Sequence, residues 1–188
     1  MPPGPVTRIM VMGPPGSGKS TLARQLGERL ALPVWHADAL FHGPGWVARP
    51  REAFIADLAA IAAQPRWVID GNYSHARYGP AIGERLARAD RIILLDLPRR
   101  VTMPRILRRV VRYRGQVRPD SAPGCPERLD LAFLLYGWRW RRAVRPGIVQ
   151  VLEAAGERVI RYERAPELDR VLTDLGDANA RGLRLRSG

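Results

Sequence analysis

The sequence has almost no cysteine, and it has no long apolar run. Cys125 is the one cysteine in 188 residues, so the chain by itself forms neither an internal disulfide nor a four-cysteine zinc site. No apolar run reaches eighteen residues, the length that a membrane-spanning helix needs. The proline-rich start lacks the basic and apolar stretches of a signal peptide. We therefore expect a cytoplasmic protein, and we interpret Cys125 as an incidental thiol.

Lysine is nearly absent as well. Of the 31 basic residues, 30 are arginine and one is Lys19. This lysine ends a glycine-rich stretch, where a compact ammonium group fits between nucleotide phosphates better than a broad, planar guanidinium group does. The single lysine therefore marks a position at which positive charge and small size are both required.

Acidic residues are scarce in the middle of the chain, and this concentrates the formal net charge of +13. Residues 98–145 hold thirteen arginines against three acidic residues, a net charge of +10, which leaves +3 for the rest of the chain. A segment of this kind suits either phosphate clamps or contacts with nucleic acid. Composition alone leaves both interpretations open.

Short β-branched runs alternate with helical stretches, a pattern typical of βαβ units around a parallel sheet. Strands are predicted at residues 6–12, 32–37, 66–71, 91–97 and 158–162. Helices are predicted at residues 19–30, 51–63, 80–88, 98–113, 127–154 with an interruption at 146–147, and 166–175. The length suits a single domain over residues 1–175. We expect the basic tail, residues 176–188, to be disordered.

One glycine-rich loop carries the strongest functional signal. Residues 13–20 match the Walker A pattern Gly-x-x-x-x-Gly-Lys-Ser/Thr between a predicted strand and a predicted helix. In such a loop, backbone N–H groups and the helix start bind phosphates, Lys19 reaches the β- and γ-phosphates, and Ser20 binds Mg²⁺. The predicted cofactors are therefore ATP and Mg²⁺. The predicted nucleotide ligands from the loop are Gly13, Pro14, Pro15, Gly16, Ser17, Gly18, Lys19, Ser20 and Thr21.

Three aspartates follow predicted strands. Asp38, Asp70 and Asp96 come at or just after the second, third and fourth strands, and the carboxyl ends of parallel strands meet at one edge of a sheet. We expect all three near the phosphates, with Asp70 and Asp96 close to the Mg²⁺ ion. The alternative for each aspartate is a turn or a helix cap.

Further motifs give the chain a resemblance to a known family. They lie at residues 13–21, 36–41, 44–46, 69–74, 94–98, 113–115, 118–120 and 124–128. Together they resemble the adenylate-kinase-related proteins called DNA topology modulation proteins, and more broadly the nucleoside monophosphate kinases. The resemblance implies an α/β P-loop NTPase fold with a five-stranded parallel sheet of order 2-3-1-4-5 flanked by helices. It also implies an arginine-rich lid at about 114–127 and an acceptor-binding segment at about 38–65.

The same resemblance implies roles for four arginines. Arg105 and Arg109 lie nine and thirteen residues after Asp96. In adenylate kinase, the arginine nine residues after the aspartate of strand four stacks on the adenine, and the arginine thirteen residues after it contacts the phosphates. Arg128 and Arg139 are eleven residues apart, like two phosphate-clamping arginines beyond the lid, which closes over bound substrate. The predicted catalytic residues are Lys19, Asp38, Arg109, Arg128 and Arg139. A solvated basic face or nucleic-acid contacts are the alternatives for each arginine.

The acceptor stays open because the chain departs from adenylate kinase. That family has Phe-Pro-Arg after the Asp-Gly of strand three, with the arginine on the acceptor phosphate, whereas this chain has Asn72-Tyr73-Ser74. Asp38 favours a hydroxyl acceptor instead, since P-loop kinases that phosphorylate hydroxyl groups often have an aspartate after strand two. The candidate acceptor-binding residues are Asp38, Trp46, Arg51, Asn72, Tyr73 and Arg77.

Three functions are compatible with the sequence. The first is an ATP-dependent kinase, monomeric or homodimeric and without a membrane partner, that acts on a nucleoside monophosphate or a hydroxyl compound. The second is an ATP-binding regulatory protein that contacts DNA through residues 98–145, where Tyr113, Tyr136, Trp138 and Trp140 offer rings for base stacking. The third is a nucleotide hydrolase without an acceptor. We favour the kinase, because a lid explains the arginines without DNA.

Overall fold

The computed structural model describes residues 6–73 and 79–177. The strands are β1 (Arg8–Met12), β2 (Val34–His36), β3 (His42–Gly43), β4 (Val47–Ala48), β5 (Trp67–Asp70), β6 (Arg91–Leu95) and β7 (Val159–Tyr162). The helices are α1 (Lys19–Leu30), α2 (Ala37–Phe41), α3 (Arg51–Ala63), α4 (Gly79–Arg88), α5 (Arg99–Tyr113), α6 (Leu131–Ala143), α7 (Arg145–Glu153) and α8 (Leu168–Gly176). The tail predicted to be disordered lies outside the described residues from position 178 onward.

Five strands form one parallel sheet in the order β2-β5-β1-β6-β7. Once the short antiparallel hairpin β3–β4 is set aside, this is the order 2-3-1-4-5 along the chain. The predicted fold class is therefore confirmed, and the hairpin is an addition that the sequence pattern does not predict. Strand β1 lies between β5 and β6, so the loop after β1 opens at the centre of the carboxyl edge of the sheet.

The sheet is buried on both faces, as a parallel sheet requires. Alternate residues of a strand point to opposite faces, so Ile9 and Val11 of β1 join one apolar cluster while Met10 and Met12 join the other. On the first face, the sheet packs against buried residues of α1 and α8, which are Leu22, Ala23, Leu26, Val171 and Leu175. On the second face, the buried residues of α3, α6 and α7 are Phe54, Leu58, Ile61, Ala62, Trp140, Ile148 and Leu152. No helix within the described residues is both long and apolar enough to cross a membrane.

The helix predicted at residues 127–154 is in fact two helices, α6 and α7, which are separated at Val144. Pro146 does not cause the break, because it lies in the first turn of α7, where a missing N–H group costs no hydrogen bond. Asp130 sets the start of α6, since its carboxylate accepts the N–H of Phe133 at 3.0 Å. The residues before Asp130 therefore belong to the preceding segment rather than to the helix.

Candidate functional site

The glycine-rich loop runs from β1 to the start of α1, and two of its glycines are required by close packing. Gly13 has φ of 149°, and a Cβ there would lie 2.5 Å from the carbonyl oxygen of Leu95. Gly16 has φ of 75°, and a Cβ there would lie 2.5 Å from the carbonyl oxygen of Thr102. Only glycine allows this backbone conformation and approach. The loop is therefore pressed against the end of β6 and the first turn of α5.

A cavity of about 700 Å³ opens above this loop, a volume within the usual range for ligand pockets. Of the predicted site residues outside the loop, five line it, and they are Asp38, Asn72, Tyr73, Arg105 and Arg109. The predicted site residues that do not line it are Gly13 and Pro14 of the loop and, outside it, Trp46, Arg51, Asp70, Asp96, Arg128 and Arg139. Arg77 lies outside the described residues. Sequence analysis missed several residues that line the cavity, among them Phe41, Arg118, Asp120, Phe133 and Tyr136.

Lys19 lies at the centre of the cavity wall, at the first position of α1. Its Nζ donates a hydrogen bond to the carbonyl oxygen of Pro14 at 3.1 Å, which curls the side chain back over the loop. Burial lowers the pKa of Lys19, while the nearby carboxylates of Asp38, Asp70 and Asp120 act in the opposite direction. One ammonium group therefore faces three carboxylates at the place where the pattern predicts phosphates.

Asn72 holds the start of the glycine-rich loop. Its Nδ2 donates to the carbonyl oxygen of Gly13 at 2.9 Å, and its Oδ1 accepts the N–H of Gly13 at 3.0 Å. Arg85 fixes Asn72 in turn, because this buried guanidinium donates to the carbonyl oxygens of Gly71 and Asn72, both at 2.9 Å. Burial lowers the pKa of Arg85 to about 10. The loop thus engages one N–H and the oxygen of the Asn72 side-chain amide, and this amide holds the loop in place.

Sequence analysis missed Arg85, and no local signal distinguishes it from other arginines on amphipathic helices. Its role follows only from its hydrogen bonds to the carbonyl oxygens of Gly71 and Asn72, directly after β5.

Asp70 is the last residue of β5. Asp70 is buried, and its Oδ1 lies 2.9 Å from Nδ1 of His36. Burial alone would lower the pKa of His36, but the hydrogen bond and the charge of Asp70 outweigh burial and raise it.

The metal-binding prediction fits Ser20 and Asp70 but not Asp96. Oδ2 of Asp70 is buried and has no hydrogen-bond partner among the described residues, so it is available to a metal-bound water. No group of three or more potential side-chain ligands occurs within residues 6–73 and 79–177. Mg²⁺ takes one or two protein ligands and fills its remaining positions with phosphate oxygens and water, and Ser20 and Asp70 are the residues that would hold it.

Asp96 has a different role from the one predicted. Its side chain is fully buried, and the guanidinium of Arg145 approaches it with Nε at 2.9 Å from both carboxylate oxygens. Arg161 approaches Oδ2 to 2.5 Å, and Arg141 lies 3.9 Å from Oδ1. The carboxylate is therefore surrounded by arginines of α6, α7 and β7. This arrangement speaks against Asp96 as a metal ligand, because the cations already occupy its oxygens.

Among the predicted acceptor-binding residues, Asp38 and Tyr73 contact each other at the cavity, whereas Trp46 does not line it. Asp38 is exposed on α2, and its Oδ1 accepts a hydrogen bond from the hydroxyl of Tyr73 at 2.8 Å. The Tyr73 ring lies 5.2 Å from the ring of Phe41 and 4.8 Å from that of Phe54, as measured between centroids. Trp46 is directed elsewhere, since its indole Nε1 donates to the carbonyl oxygen of Pro126 at 2.9 Å. Asp38 and Tyr73 thus line one part of the cavity together with Phe41.

Two of the four arginines with a predicted role line the cavity, and two do not. Arg105 lines the cavity and donates to the carbonyl oxygen of Ser17 at 3.4 Å. Arg109 lines it too, and burial together with the charge of Arg118 lowers the pKa of Arg109, although Glu127 opposes this. Arg128 and Arg139 are exposed and do not line the cavity. The structure therefore does not support these two as phosphate clamps, and Arg118 is the arginine of residues 114–145 that lines the cavity.

The segment predicted as a lid contacts the β3–β4 hairpin. The N–H of Gly45 donates to the carbonyl oxygen of Gly124 at 2.9 Å, next to the Trp46 bond described above. Cys125 is fully buried, and its Sγ donates to the carbonyl oxygen of Gly43 at 3.1 Å. Cys125 therefore packs in the contact between the two segments instead of being incidental.

Known proteins resemble the chain in sequence over one part and in fold over most of its length. No protein-family model matches it. It is 32% identical over 111 residues to a cytidylate kinase of Aeropyrum pernix, a match that covers 53% of this chain and 63% of that relative. The chain thus spans less than two thirds of the length of this curated relative. The family predicted from the motifs, the DNA topology modulation proteins, remains a prediction.

Two solved structures share the fold. A gluconokinase from Sinorhizobium meliloti 1021 is 19% identical with a TM-score of 0.53, and the match covers 93% of this chain and 92% of that structure. A shikimate kinase from Acinetobacter baumannii in complex with shikimate is 19% identical with a TM-score of 0.55, covering 89% of this chain and 88% of that structure. At this identity the likeness concerns the fold. The chain therefore has the fold of the P-loop kinases.

Proposed function

We propose that the chain is an ATP-dependent phosphotransferase that moves the γ-phosphoryl group to a small acceptor. The observation that carries this proposal is that the loop residues Lys19 and Ser20 line the same cavity as Asp38. The loop supplies a phosphate site, and Asp38 supplies a carboxylate next to it. Similarity to a cytidylate kinase supports the same class of reaction.

The donor side of the cavity suits ATP. Arg105 from α5 and Pro166 after β7 line it beyond the loop, which gives a planar cation and an apolar ring surface for an adenine base. The loop backbone, Lys19 and Arg109 then face the phosphates. Ser20 and the Asp70 oxygen that has no hydrogen-bond partner among the described residues would hold Mg²⁺, which would offset the charge of the phosphates.

The part of the cavity that Asp38, Phe41 and Tyr73 line favours a hydroxyl compound as the acceptor. We infer that the carboxylate of Asp38 takes the proton of an acceptor hydroxyl while that oxygen forms a bond to the γ-phosphorus and the bond from phosphorus to the β-phosphate oxygen breaks. ADP leaves with the electron pair of the broken bond. Tyr73 orients Asp38 through its 2.8 Å hydrogen bond. Lys19 and Arg109 stabilise the charge on the migrating group, which is the main source of catalysis in phosphoryl transfer.

An acceptor panel combined with the variant Asp38→Asn tests this mechanism. Labelled ATP is incubated with nucleoside monophosphates, nucleosides and small hydroxy compounds, and labelled products are separated from free phosphate. With a hydroxyl acceptor, we expect Asp38→Asn to lower kcat about 10²- to 10⁴-fold, because the general base is lost. Asp177→Asn makes the same change at an exposed position immediately after the last helix and should leave kcat unchanged.

The result also distinguishes the acceptor classes. A phosphate acceptor needs no base, since its oxygens are already ionised, so a change in kcat below about tenfold for Asp38→Asn would identify a nucleoside monophosphate instead. Release of free phosphate with every compound of the panel would overturn the kinase proposal and favour the hydrolase.

Contact with DNA, the second function, is supported by the exposed arginines of residues 98–145. Five of the thirteen arginines in residues 98–145 are accounted for, since Arg105, Arg109 and Arg118 line the cavity and Arg141 and Arg145 surround Asp96. The other eight are exposed, and none pairs with an acidic side chain among the described residues. They are Arg99, Arg100, Arg108, Arg112, Arg114, Arg128, Arg139 and Arg142. A surface of this kind suits a polyanion, so contact with DNA stays a candidate.

Binding to DNA across salt concentrations tests this second function. We expect only the weak, non-specific affinity of a basic surface, with a dissociation constant of about 10⁻⁶ M or weaker at physiological salt. The measurement is fluorescence anisotropy of labelled duplex and single-stranded oligonucleotides. Nanomolar binding at physiological salt that weakens in Arg108→Ala and Arg112→Ala would show that the exposed arginines form a true DNA site.

A further inference from the structure

Three of the hydrogen bonds described above join the lid segment, residues 114–127, to the β3–β4 hairpin, residues 42–48. In one of them, the indole Nε1 of Trp46 donates to the carbonyl oxygen of Pro126 at 2.9 Å, across 80 residues of chain. No residue of this hairpin lines the cavity. The contact between the two segments therefore lies outside the ligand site.

Trp46 makes its bond from a backbone conformation that tryptophan rarely adopts. Its φ is 65°, in the left-handed region where a bulky side chain is an outlier. Glycine would adopt the same conformation without a steric cost, so the position gains something from the indole. Strained residues persist where the surroundings hold them, and they are concentrated at ligand clamps and switch regions. The strain therefore points to a role for the Trp46 side chain beyond hairpin formation.

The hairpin is attached to α2, the helix that brings Asp38 and Phe41 to the cavity. The N–H of Arg49, just after the hairpin, donates to the carbonyl oxygen of Phe41 at 2.9 Å. Side-chain rings connect the same places, since the ring centroid of His42 lies 4.8 Å from that of Phe41 and 5.3 Å from that of Trp46. A movement of Trp46 is therefore passed through packed rings to the helix that carries Asp38.

On the other side of the contact, the end of the lid segment is connected to arginines of the cavity. Glu127 directly follows Pro126, and its Oε2 lies 2.6 Å from Nε of Arg118. Its Oε1 lies 3.3 Å from NH2 of Arg109 on α5. Both arginines line the cavity, and the side chain of Glu127 is only 5% exposed, so the two ion pairs fix this end of the segment. The bond from Trp46 thus lies between these arginines and α2.

We propose that Trp46 is a positioning residue that couples the lid segment to the part of the cavity assigned to the acceptor. Nucleotide beneath the lid segment fixes Arg118 and, through it, Glu127. Trp46 then holds the hairpin against the lid segment, and the hairpin holds Asp38 on α2 in place for the acceptor hydroxyl. By reciprocity, a bound acceptor raises the affinity for nucleotide. This inference rests on the proposed function, in which the loop binds ATP and Asp38 serves the acceptor.

Hydrogen exchange of the full chain, with and without the ATP analogue AMP-PNP and Mg²⁺, tests this coupling without an acceptor. In the unsubstituted chain, we expect the nucleotide to slow amide exchange in residues 114–127. We also expect it to slow exchange in residues 42–48 at least about fivefold, the lower end of typical coupling between sites. The hairpin does not line the cavity, so its protection has to be transmitted. The amide of Gly45 reports directly on the contact, because it donates to the lid segment.

Two variants of Trp46 separate the hydrogen bond from the ring. Trp46→Ala removes both, so the nucleotide-dependent protection of residues 42–48 should disappear while that of residues 114–127 remains. Trp46→Phe keeps a ring beside His42 but has no N–H donor, so the protection of the hairpin should fall to an intermediate value. Val47→Ala is the control and should keep the full effect, since it shortens a side chain of the same hairpin that is 66% exposed. Thermal unfolding checks that each variant is folded.

Calorimetric titration with AMP-PNP and Mg²⁺ distinguishes failure of this inference from failure of the proposed function. Absence of binding to the unsubstituted chain would contradict the proposed function itself. Binding without any change of exchange in residues 42–48 would overturn the coupling alone. Exchange in Trp46→Ala that the nucleotide slows by the same factor as in the unsubstituted chain would overturn it too, even if the hairpin exchanges faster throughout, because Trp46 would then support only the hairpin.

Discussion

Replacement of Lys19 by methionine is expected to lower kcat by at least about 10³-fold. Lys19 is the only lysine of the sequence, and its ammonium group is held over the loop by the carbonyl oxygen of Pro14. Methionine has a similar length but no charge, so the β- and γ-phosphates lose the cation between them. The measurement is the initial rate of transfer from labelled ATP to the acceptor that the panel identifies, with binding of AMP-PNP measured in parallel.

Lys19→Arg separates charge from shape at the same position. Arginine keeps the positive charge, but its planar fork is broader than an ammonium group and does not fit between the phosphates in the same way. We expect this variant to lose most activity too, although 30 other positions of the chain carry arginine. Arg66→Lys, a conservative change on an exposed side chain, is the control. A rate within tenfold of the unsubstituted chain in Lys19→Met would contradict the phosphate assignment.

Replacement of Asp96 by asparagine is expected to destabilise the fold strongly. The carboxylate is fully buried and pairs with Arg145 and Arg161, which are themselves 19% and 13% exposed. Removal of one partner of a buried ion pair leaves uncompensated charge and costs about 3 to 5 kcal/mol of unfolding free energy. For a chain of this size, such a loss lowers Tm by roughly 10 °C. Calorimetric and urea unfolding would both report it.

Asp57→Asn gives the matched control for this prediction. Asp57 also forms an ion pair, with Arg49 at 2.8 Å, but its side chain is 47% exposed, and exposed pairs contribute at most about 1 kcal/mol. An unchanged Tm for Asp96→Asn, together with a loss of Mg²⁺-dependent AMP-PNP binding, would contradict the structural role and restore the metal-ligand prediction.

The two aspartates at the ends of β5 and β6 show why position after a strand is not a sufficient guide. Asp70 and Asp96 occupy equivalent places in the sequence pattern, and both were predicted to reach the metal. Asp70 meets a histidine of β2 and keeps one oxygen free. Asp96 meets arginines that come 49 and 65 residues later in the chain. The different roles depend on partners that are remote in sequence.

The basic segment, residues 98–145, also shows that position in the sequence is not a sufficient guide to a residue's role. The resemblance implies that Arg105 contacts the adenine and Arg109 the phosphates, their spacing puts both on one helix face, and both do line the cavity. The spacing of Arg128 and Arg139 was interpreted in the same way, but the structure puts both on the surface. Arg118, ten residues before Arg128, lines the cavity instead, and its Nε lies 2.6 Å from Oε2 of the buried Glu127. Sequence separation predicts position only inside one regular element, where the geometry is known in advance.

The sequence by itself determined the features that depend on neighbouring residues. The glycine-rich loop, the helices at residues 19–30 and 51–63, and the parallel sheet follow from short-range patterns, because glycine conformation, helix periodicity and β-branched runs act locally. Only the tertiary structure decided which charges face the cavity, since each arginine or aspartate takes the partner that burial brings within about 3 Å. Arg85 next to Asn72 and Arg145 next to Asp96 are arrangements of that kind, because long-range packing makes them and no local pattern encodes them.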